Sequence, residues 1–210
     1  MLVTAGPTRE HIDPVRFISN HSTGAFGYEI AREASRRKCR VVLISGPTFL
    51  KPPKGVKFIR VESALDMLRA VKKESAGADY IFMAAAVSDW RPEGYFPRKI
   101  KRQGLGGQKI IKLIENPDIL KELGRNKSYC LIGFALETEA LRANAIRKLK
   151  DKDLDIIVAN SLRKKSGPFG YSKTDISIID RLGARKSYKG MVKRELAKII
   201  LDKAFGFNIK

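Results

Sequence analysis

Cysteine is scarce in this chain. Cys39 and Cys130 are the only two, 91 positions apart, with neither a Cys-x-x-Cys spacing nor a Cys–His pairing. That excludes a disulfide framework and a zinc site of ordinary ligand spacing, and both thiols are expected to be passive. Cys130, inside Tyr129-Cys130-Leu131-Ile132, reads as a buried strand position. No apolar run approaches the roughly 18 residues of a membrane span. The opening Met1-Leu2-Val3-Thr4-Ala5-Gly6 lacks the basic-then-apolar layout of a secretory signal, so a cytoplasmic location is expected. Acidic residues are also few, 22 against 42 basic ones, leaving a formal net charge of +20 at pH 7.

Such a field attracts polyanions of any kind, nucleic acid included. Yet the lysines and arginines are spread over the whole chain, with no basic arm and no interleaved aromatics of the kind that stack on bases. The charge therefore reads as steering for small phosphorylated substrates. A basic RNA- or DNA-binding module is the rival reading, and it predicts log-linear weakening of affinity with salt. No repeat, low-complexity tract or linker divides the chain, so one domain over residues 1–210 is expected.

What is present is an α/β rhythm. Leu2 to Ala5 is a short apolar run stopped by Gly6-Pro7-Thr8, and a helical pattern follows from near Thr23, with Phe26, Ile30 and Ala34 on one face. Val41-Val42-Leu43-Ile44-Ser45 is continuously apolar up to its serine, as a strand buried on both faces must be. Lys57 to Val61 predicts another strand, and Ser63 with Asp66 a capping box opening a helix with Leu65, Leu68 and Val71 inward. Strands are predicted over Tyr80 to Val87, Tyr129 to Phe134 and Ile156 to Ala159, with helices starting at Asn116-Pro117-Asp118 and at an N-cap Thr138. Leu141, Ala145 and Leu149 form the buried stripe of the second of these helices. The fold class is α/β, Rossmann-like: a mostly parallel sheet with helices on both faces.

Two segments depart from the rhythm. Residues 92–114, with Gly94, Gly104, Gly106 and Gly107 among basic and β-branched residues, predict an extended flap. Ile176 to Asp180, the turn Leu182-Gly183-Ala184 and Ser187-Tyr188 predict a C-terminal antiparallel hairpin at the sheet edge, closed by a helix from about Met191 to Phe205.

In an open α/β sheet, ligands bind beyond the carboxyl ends of the strands. The loop after the first strand is rich in small residues, through Ser22-Thr23-Gly24 and Gly27, but it is not G-x-G-x-x-G, and the connector from Pro7 to Ser22 is too long for a nicotinamide fingerprint. A nicotinamide-dependent oxidoreductase would also need an acidic residue ending its second strand, where Ser45-Gly46-Pro47 stands.

The strings TAGPTRE and IDPVRFISNHSTG, then AAAVSDWRP, KIKR, NPDIL, GFALET and IVAN, resemble in order and spacing the phosphopantothenoylcysteine synthetase family over essentially the whole chain. The chain departs from the family at Ser22-Thr23-Gly24-Ala25-Phe26-Gly27, where Ser-Ser-Gly-Lys-Met-Gly is commoner, and at Ser88, often Ala. The resemblance implies a ligase that joins 4′-phosphopantothenate to L-cysteine through an acyl nucleotidylate. It would use CTP, or ATP as the alternative, with Mg²⁺, releasing pyrophosphate and CMP. It also implies a homodimer. Many members carry a flavin-dependent decarboxylase ahead of this part, and no FMN is expected on these residues.

It further implies roles residue by residue. Lys99 corresponds to the lysine that contacts the nucleotide phosphates, where the ordinary reading is a solvated basic loop. Asn20 corresponds to the asparagine that grips the acyl intermediate, otherwise a helix N-cap or turn asparagine. Arg16 suits the substrate phosphate but could equally pair with Asp13 or Glu10. Asp89 falls in the nucleotide site, where it could accept from ribose or help hold Mg²⁺, and is otherwise an N-cap. Backbone groups of Met83, Ala84 and Ala85 would read the base edge, and Pro117, Asp118, Ile119 and Leu120 open a helix whose amides face the triphosphate. Phe134 would pack on the nucleotide, where the ordinary reading is a core aromatic after a strand. Lys148 and Lys152, four apart on one helix face, would reach the polyphosphate or ribose, where the ordinary reading is a solvated pair. His11 and His21 receive no role.

Overall fold

The computed structural model of the chain describes residues 1–101, 110–125, 127–137, 139–161 and 173–207. Six strands build its parallel part: β1 (Leu2–Ala5), β4 (Val42–Ser45), β5 (Lys57–Arg60), β6 (Tyr80–Met83), β9 (Cys130–Glu137) and β10 (Ile156–Ser161). β11 (Thr174–Asp180) and β12 (Arg185–Met191) extend it antiparallel, giving one eight-stranded sheet of order β12-β11-β10-β9-β6-β1-β4-β5. From β1 the chain first winds outward to β4 and β5, then returns to lay β6 on the other side of β1. The crevice above β1 and β6 is therefore the topological switch point.

Helices cover both faces, as apolar residues on both sides of the inner strands require. α1 (Ala25–Arg36) and α5 (Lys193–Phe205) share one core with Val3, Phe82, Ile132 and Val158. α2 (Ala64–Ser75), α3 (Ile119–Gly124) and α4 (Leu141–Asp151) supply the other, around Leu2, Ile81, Leu131 and Ile157. The capping box of α2 is present: the Ser63 hydroxyl accepts from the Asp66 N–H, and Asp66 accepts from Ser63. Gly24 precedes α1 at φ 79°, where a β-carbon would be strained. At Gly46 the first loop approaches so closely that a β-carbon would stand 1.8 Å from the Pro7 carbonyl oxygen.

The structure corrects several expectations. The strand predicted over Tyr80 to Val87 ends at Met83, because the Ala85 amide donates to the Thr4 side chain of β1, and the Ala86 and Ser88 amides donate to the first loop, in place of a strand ladder. α2 turns Ala64, Met67 and Val71 inward, and Leu65 lies toward solvent, since the helical phase is set by the cap and not by the leucines. The N-cap of α4 is Ala140 in the left-handed region, and Thr138 lies outside the described residues. The polar connector after β1 holds a small hairpin, β2 (Arg9–His11) paired with β3 (Phe17–Ser19). The base of the flap is an antiparallel pair, β7 (Trp90–Pro92) with β8 (Leu113–Glu115), while Arg102, Gly104, Gly106 and Gly107 lie outside the described residues. The C-terminal hairpin and closing helix stand where expected.

Candidate functional site

The loops at the carboxyl ends of β1, β6, β9 and β10 enclose a cavity of about 780 Å³. Its roof is stitched to its floor by short polar side chains. Thr4 Oγ1, fully buried in β1, accepts the Ala85 N–H at 3.1 Å, and Thr8 Oγ1 accepts the Ser88 N–H at 3.0 Å. The Ala86 N–H donates to the Gly6 carbonyl at 2.9 Å. Asn116 closes the other side, its Nδ2 donating to the Ser88 carbonyl at 2.9 Å and its N–H to the Asp89 carbonyl at 2.8 Å. The loop after β6 is thus fixed by side chains from two distant segments, so its backbone presents an ordered polar edge to whatever fills the cavity.

Most of the residues singled out from sequence line this cavity together: Asn20, Met83, Ala84, Ala85, Asp89, Pro117, Asp118, Ile119, Leu120, Phe134, Lys148 and Lys152. Asn20 Nδ2 donates to the Ala86 carbonyl at 2.9 Å, which fixes the amide against the loop. Asp118 has two tasks: its Oδ1 accepts the Lys121 N–H at 3.0 Å as the N-cap of α3, and its Oδ2 pairs with Lys152 Nζ at 3.0 Å. Lys148 Nζ lies 2.7 Å from Glu137 Oε1. The Phe134 ring meets Phe26 edge-on, centroids 5.2 Å apart. Asp89 is exposed, and its carboxylate has no hydrogen bond or ion pair among the described residues.

Two expected residues are not brought in. Arg16 and Lys99 do not line the cavity. Lys99 is exposed on the stem of the flap, next to Ile100, and Arg16 Nη2 donates to the Ile100 carbonyl at 2.7 Å. Both are organised by Asp13, whose side chain is fully buried. Its Oδ1 accepts the Val15 and Arg16 N–H groups at 2.8 and 2.9 Å, and its Oδ2 the Ile100 N–H at 3.2 Å. Burial pushes this carboxyl upward, but the three backbone N–H groups and the Arg16 charge outweigh it and hold the group below its ordinary value. A depressed carboxylate stabilises the fold above its unfolded pKa, and that contribution is lost as pH falls through the folded value. Asp13→Asn is therefore expected to melt below the parent near neutrality, with the gap closing as both are acidified. Melting temperatures from about pH 6 down to about pH 2 would check it, and a gap that stays constant would refute it.

Sequence reasoning missed Lys193 and Asn160. Both line the cavity on its α5 side, with Phe26, Val158 and Ile176. Lys193 is only 4% exposed, and burial lowers its pKa. Asn160 stands at the carboxyl end of an apolar strand, a position where a polar residue faces a ligand, and that signal was available. Lys193 gave none: a lysine beginning an amphipathic helix reads as solvated. Among the described residues no cluster of three or more His, Cys, Asp or Glu side chains could hold a metal ion, and no helix is long and apolar enough to cross a membrane.

Residues 1–207 match the family model described as DNA/pantothenate metabolism flavoprotein C-terminal domain. The chain is 42% identical over 204 residues to the coenzyme A biosynthesis bifunctional protein CoaBC of Bacillus subtilis (strain 168), covering 96% of this chain and 50% of that protein. It is 40% identical over 206 residues to a cysteine/cysteine sulfinic acid decarboxylase of an unknown prokaryotic organism, covering 97% of this chain and 57% of that protein. Among solved structures it is similar to the C-terminal domain of coenzyme A biosynthesis bifunctional protein CoaBC, with a TM-score of 0.81, 38% identity, and 96% of this chain and 91% of that one covered. The chain spans about half the length of the curated relatives it matches.

Proposed function

Because this chain belongs to the DNA/pantothenate metabolism flavoprotein C-terminal domain family, we propose that it is a ligase of coenzyme A biosynthesis joining 4′-phosphopantothenate to L-cysteine. The observation that carries the reading is the cavity itself, in which Asn20, the Ala84–Ala85 backbone, Asp89, Asp118, Lys148 and Lys152 face one space of nucleotide size.

The chemistry asks for those groups. A carboxylate is a poor acyl donor, so its oxygen first attacks the α-phosphorus of CTP. A P–O bond forms, and the bond to pyrophosphate breaks. The cysteine amine then attacks the acyl carbon, the C–O bond to CMP breaks, and the amine loses its proton to water. Neither step requires a protein nucleophile, in keeping with a Cys130 thiol pushed by burial up to about 12. What the steps require is cations on the phosphates and fixed donors on the reacting carbonyl, which Lys148, Lys152 and Asn20 supply. Mg²⁺ suits the site: it keeps its waters and takes one or two carboxylates beside the phosphates, and Asp89 offers one that is not engaged among the described residues. The protein would work as a homodimer, with Val15, Phe17, Trp90, Tyr95 and Leu113 exposed around the hairpins at the flap base as the face to be covered.

The test is pyrophosphate release from CTP and from ATP, with and without phosphopantothenate and cysteine. Release is expected to require phosphopantothenate. Lys99→Ala is expected to slow it at least about tenfold if the lysine reaches the phosphates from its place on the flap stem. Unchanged turnover would remove Lys99 from the reaction. The decarboxylase name of one relative sets the control: no carbon dioxide is expected from cysteine or cysteine sulfinic acid, and its release would overturn the ligase reading.

A further inference from the structure

The flap stem is exposed, yet residues 96–100 are held at both ends. The Phe96 N–H donates to the Ile12 carbonyl at 2.9 Å. At the other end the Ile100 N–H donates to Asp13 Oδ2 at 3.2 Å, and the Ile100 carbonyl accepts from Arg16 Nη2 at 2.7 Å. All these partners come from the turn between β2 and β3. That turn is itself closed: the Ile12 and Asp13 N–H groups donate to the Arg16 carbonyl at 2.8 and 3.3 Å, and Asp13 Oδ1 accepts the Val15 and Arg16 N–H groups. Asp13 is the joint, with one oxygen serving the turn and the other the stem.

Core packing does not ask for this joint. Tyr95, Pro97, Arg98 and Lys99 are exposed, and Phe96 and Ile100 are only half-buried, so the stretch adds little to either core. Burying a carboxylate is unfavourable, and here its hydrogen bonds fix a segment with almost no apolar surface to hide. What the segment does carry is Lys99, between its two points of attachment. The hairpin leads the other way, into the cavity. β3 ends at Ser19, whose hydroxyl donates to the Thr8 carbonyl at 2.7 Å, and Asn20 follows; both line the cavity. One turn therefore fixes the backbone beside Lys99 to the hairpin that ends at Asn20.

We propose that Asp13 is a positioning residue for the ligase reaction, fixing the backbone around Lys99 to the hairpin that bears Asn20, so that the cation is offered to the phosphates from a preset place. This rests on the ligase reading and on Lys99 acting in it; Asp13 itself does not line the cavity. A lysine on a free length of chain has to be ordered each time nucleotide binds, and that ordering opposes binding. A stem ordered in advance avoids it. The joint also needs a carboxylate. Asp13 accepts three backbone N–H groups with its two oxygens and has the Arg16 guanidinium 3.7 Å away, whereas an amide has only one acceptor oxygen.

Asp13→Asn opens the joint. Its single carbonyl oxygen can keep the Val15 and Arg16 N–H groups, and its NH2 then faces the Ile100 N–H, donor against donor. Ile100→Pro makes the same cut from the stem, deleting the N–H and leaving Asp13 in place, and keeps the test open if Asp13→Asn fails to fold. Pyrophosphate release is measured below the melting range of every variant, with Lys99 present and with Lys99→Ala, as a double-mutant cycle. Either variant is expected to lower kcat/KM for CTP about three- to tenfold when Lys99 is present, and less than about twofold in the Lys99→Ala background, where no cation remains to be positioned. A role confined to holding the fold would give the same factor in both backgrounds, and that result overturns the proposal while the ligase reading stands. Full kcat/KM in both variants with Lys99 present does the same. Trypsin reads the joint directly: cleavage after Arg98, followed by mass spectrometry, is expected to quicken at least about fivefold in both variants, and an unchanged rate overturns the proposal. If the unmodified chain releases no pyrophosphate, or Lys99→Ala turns over as fast as the parent, the ligase reading or the place of Lys99 in it has failed first, and the positioning role falls with it.

Discussion

Asp155→Ala is expected to lower the unfolding free energy by about 3–5 kcal/mol, the range for breaking a buried ion pair from one side. Asp155 sits just before β10 with its side chain 5% exposed. Its Oδ2 accepts the Leu131 N–H at 2.8 Å and pairs with Lys127 Nζ at 2.9 Å, and its Oδ1 pairs with Arg181 Nη1 at 2.9 Å. One carboxylate thus joins β9, β10 and the turn after β11. Alanine would leave the Lys127 ammonium, itself 9% exposed, close to a buried N–H with no acceptor. Asparagine keeps an acceptor for Leu131 but no charge, so Asp155→Asn should fall between the parent and the alanine variant. The cluster lies at the amino ends of the strands, away from the cavity, so pyrophosphate release per folded molecule should be unchanged. Urea unfolding of the three proteins decides it, and a loss below about 1 kcal/mol for alanine would show that the desolvation of the three charges had already cancelled their attraction.

This cluster also shows what sequence can and cannot reveal. Strands such as Val41 to Ser45 and Ile156 to Ala159 were legible because burial on both faces forces continuous apolarity, and local chemistry placed the Ser63–Asp66 capping box correctly. Asp155 was not legible, since nothing local distinguishes a carboxylate that anchors three segments from one in a solvated turn. The same limit governs the site. Asp89 and Asn20 flank recognisable elements and Phe134 lies toward the carboxyl end of one, so their placement at one rim could be anticipated. Lys193 comes from a helix 33 residues beyond Asn160 and reaches the same cavity only through the pairings of β11 with both its neighbours. The end of β6 at Met83 was misread for a related reason: the alanines continue the apolar pattern, but Thr4 and Thr8, some 80 residues earlier, take the amides that would have extended the strand.

Replacing Lys148 and Lys152 together by alanine is expected to weaken CTP binding by about a hundredfold or more, while changing stability by less than about 1 kcal/mol per residue. The asymmetry follows from where each lysine finds its partner. In the free protein Lys148 and Lys152 pair with Glu137 and Asp118, and their side chains remain 38% and 24% exposed. Ion pairs so open to water contribute about 0–1 kcal/mol, so their loss should scarcely move the melting curve. A polyphosphate entering the cavity replaces two monovalent carboxylate partners with a denser charge, and each charge-assisted contact is worth about 1.5–3 kcal/mol. The two substitutions should combine less than additively, because both lysines would serve one anion. Glu137→Gln sharpens the point. It removes the carboxylate that competes for Lys148, so nucleotide should bind tighter, not weaker. Equilibrium titration with CTP across the three variants at fixed salt tests the exchange. Unchanged affinity in the double alanine variant, or weaker binding in Glu137→Gln, would mean that the lysines hold α4 against β9 and α3 and take no part in receiving the nucleotide.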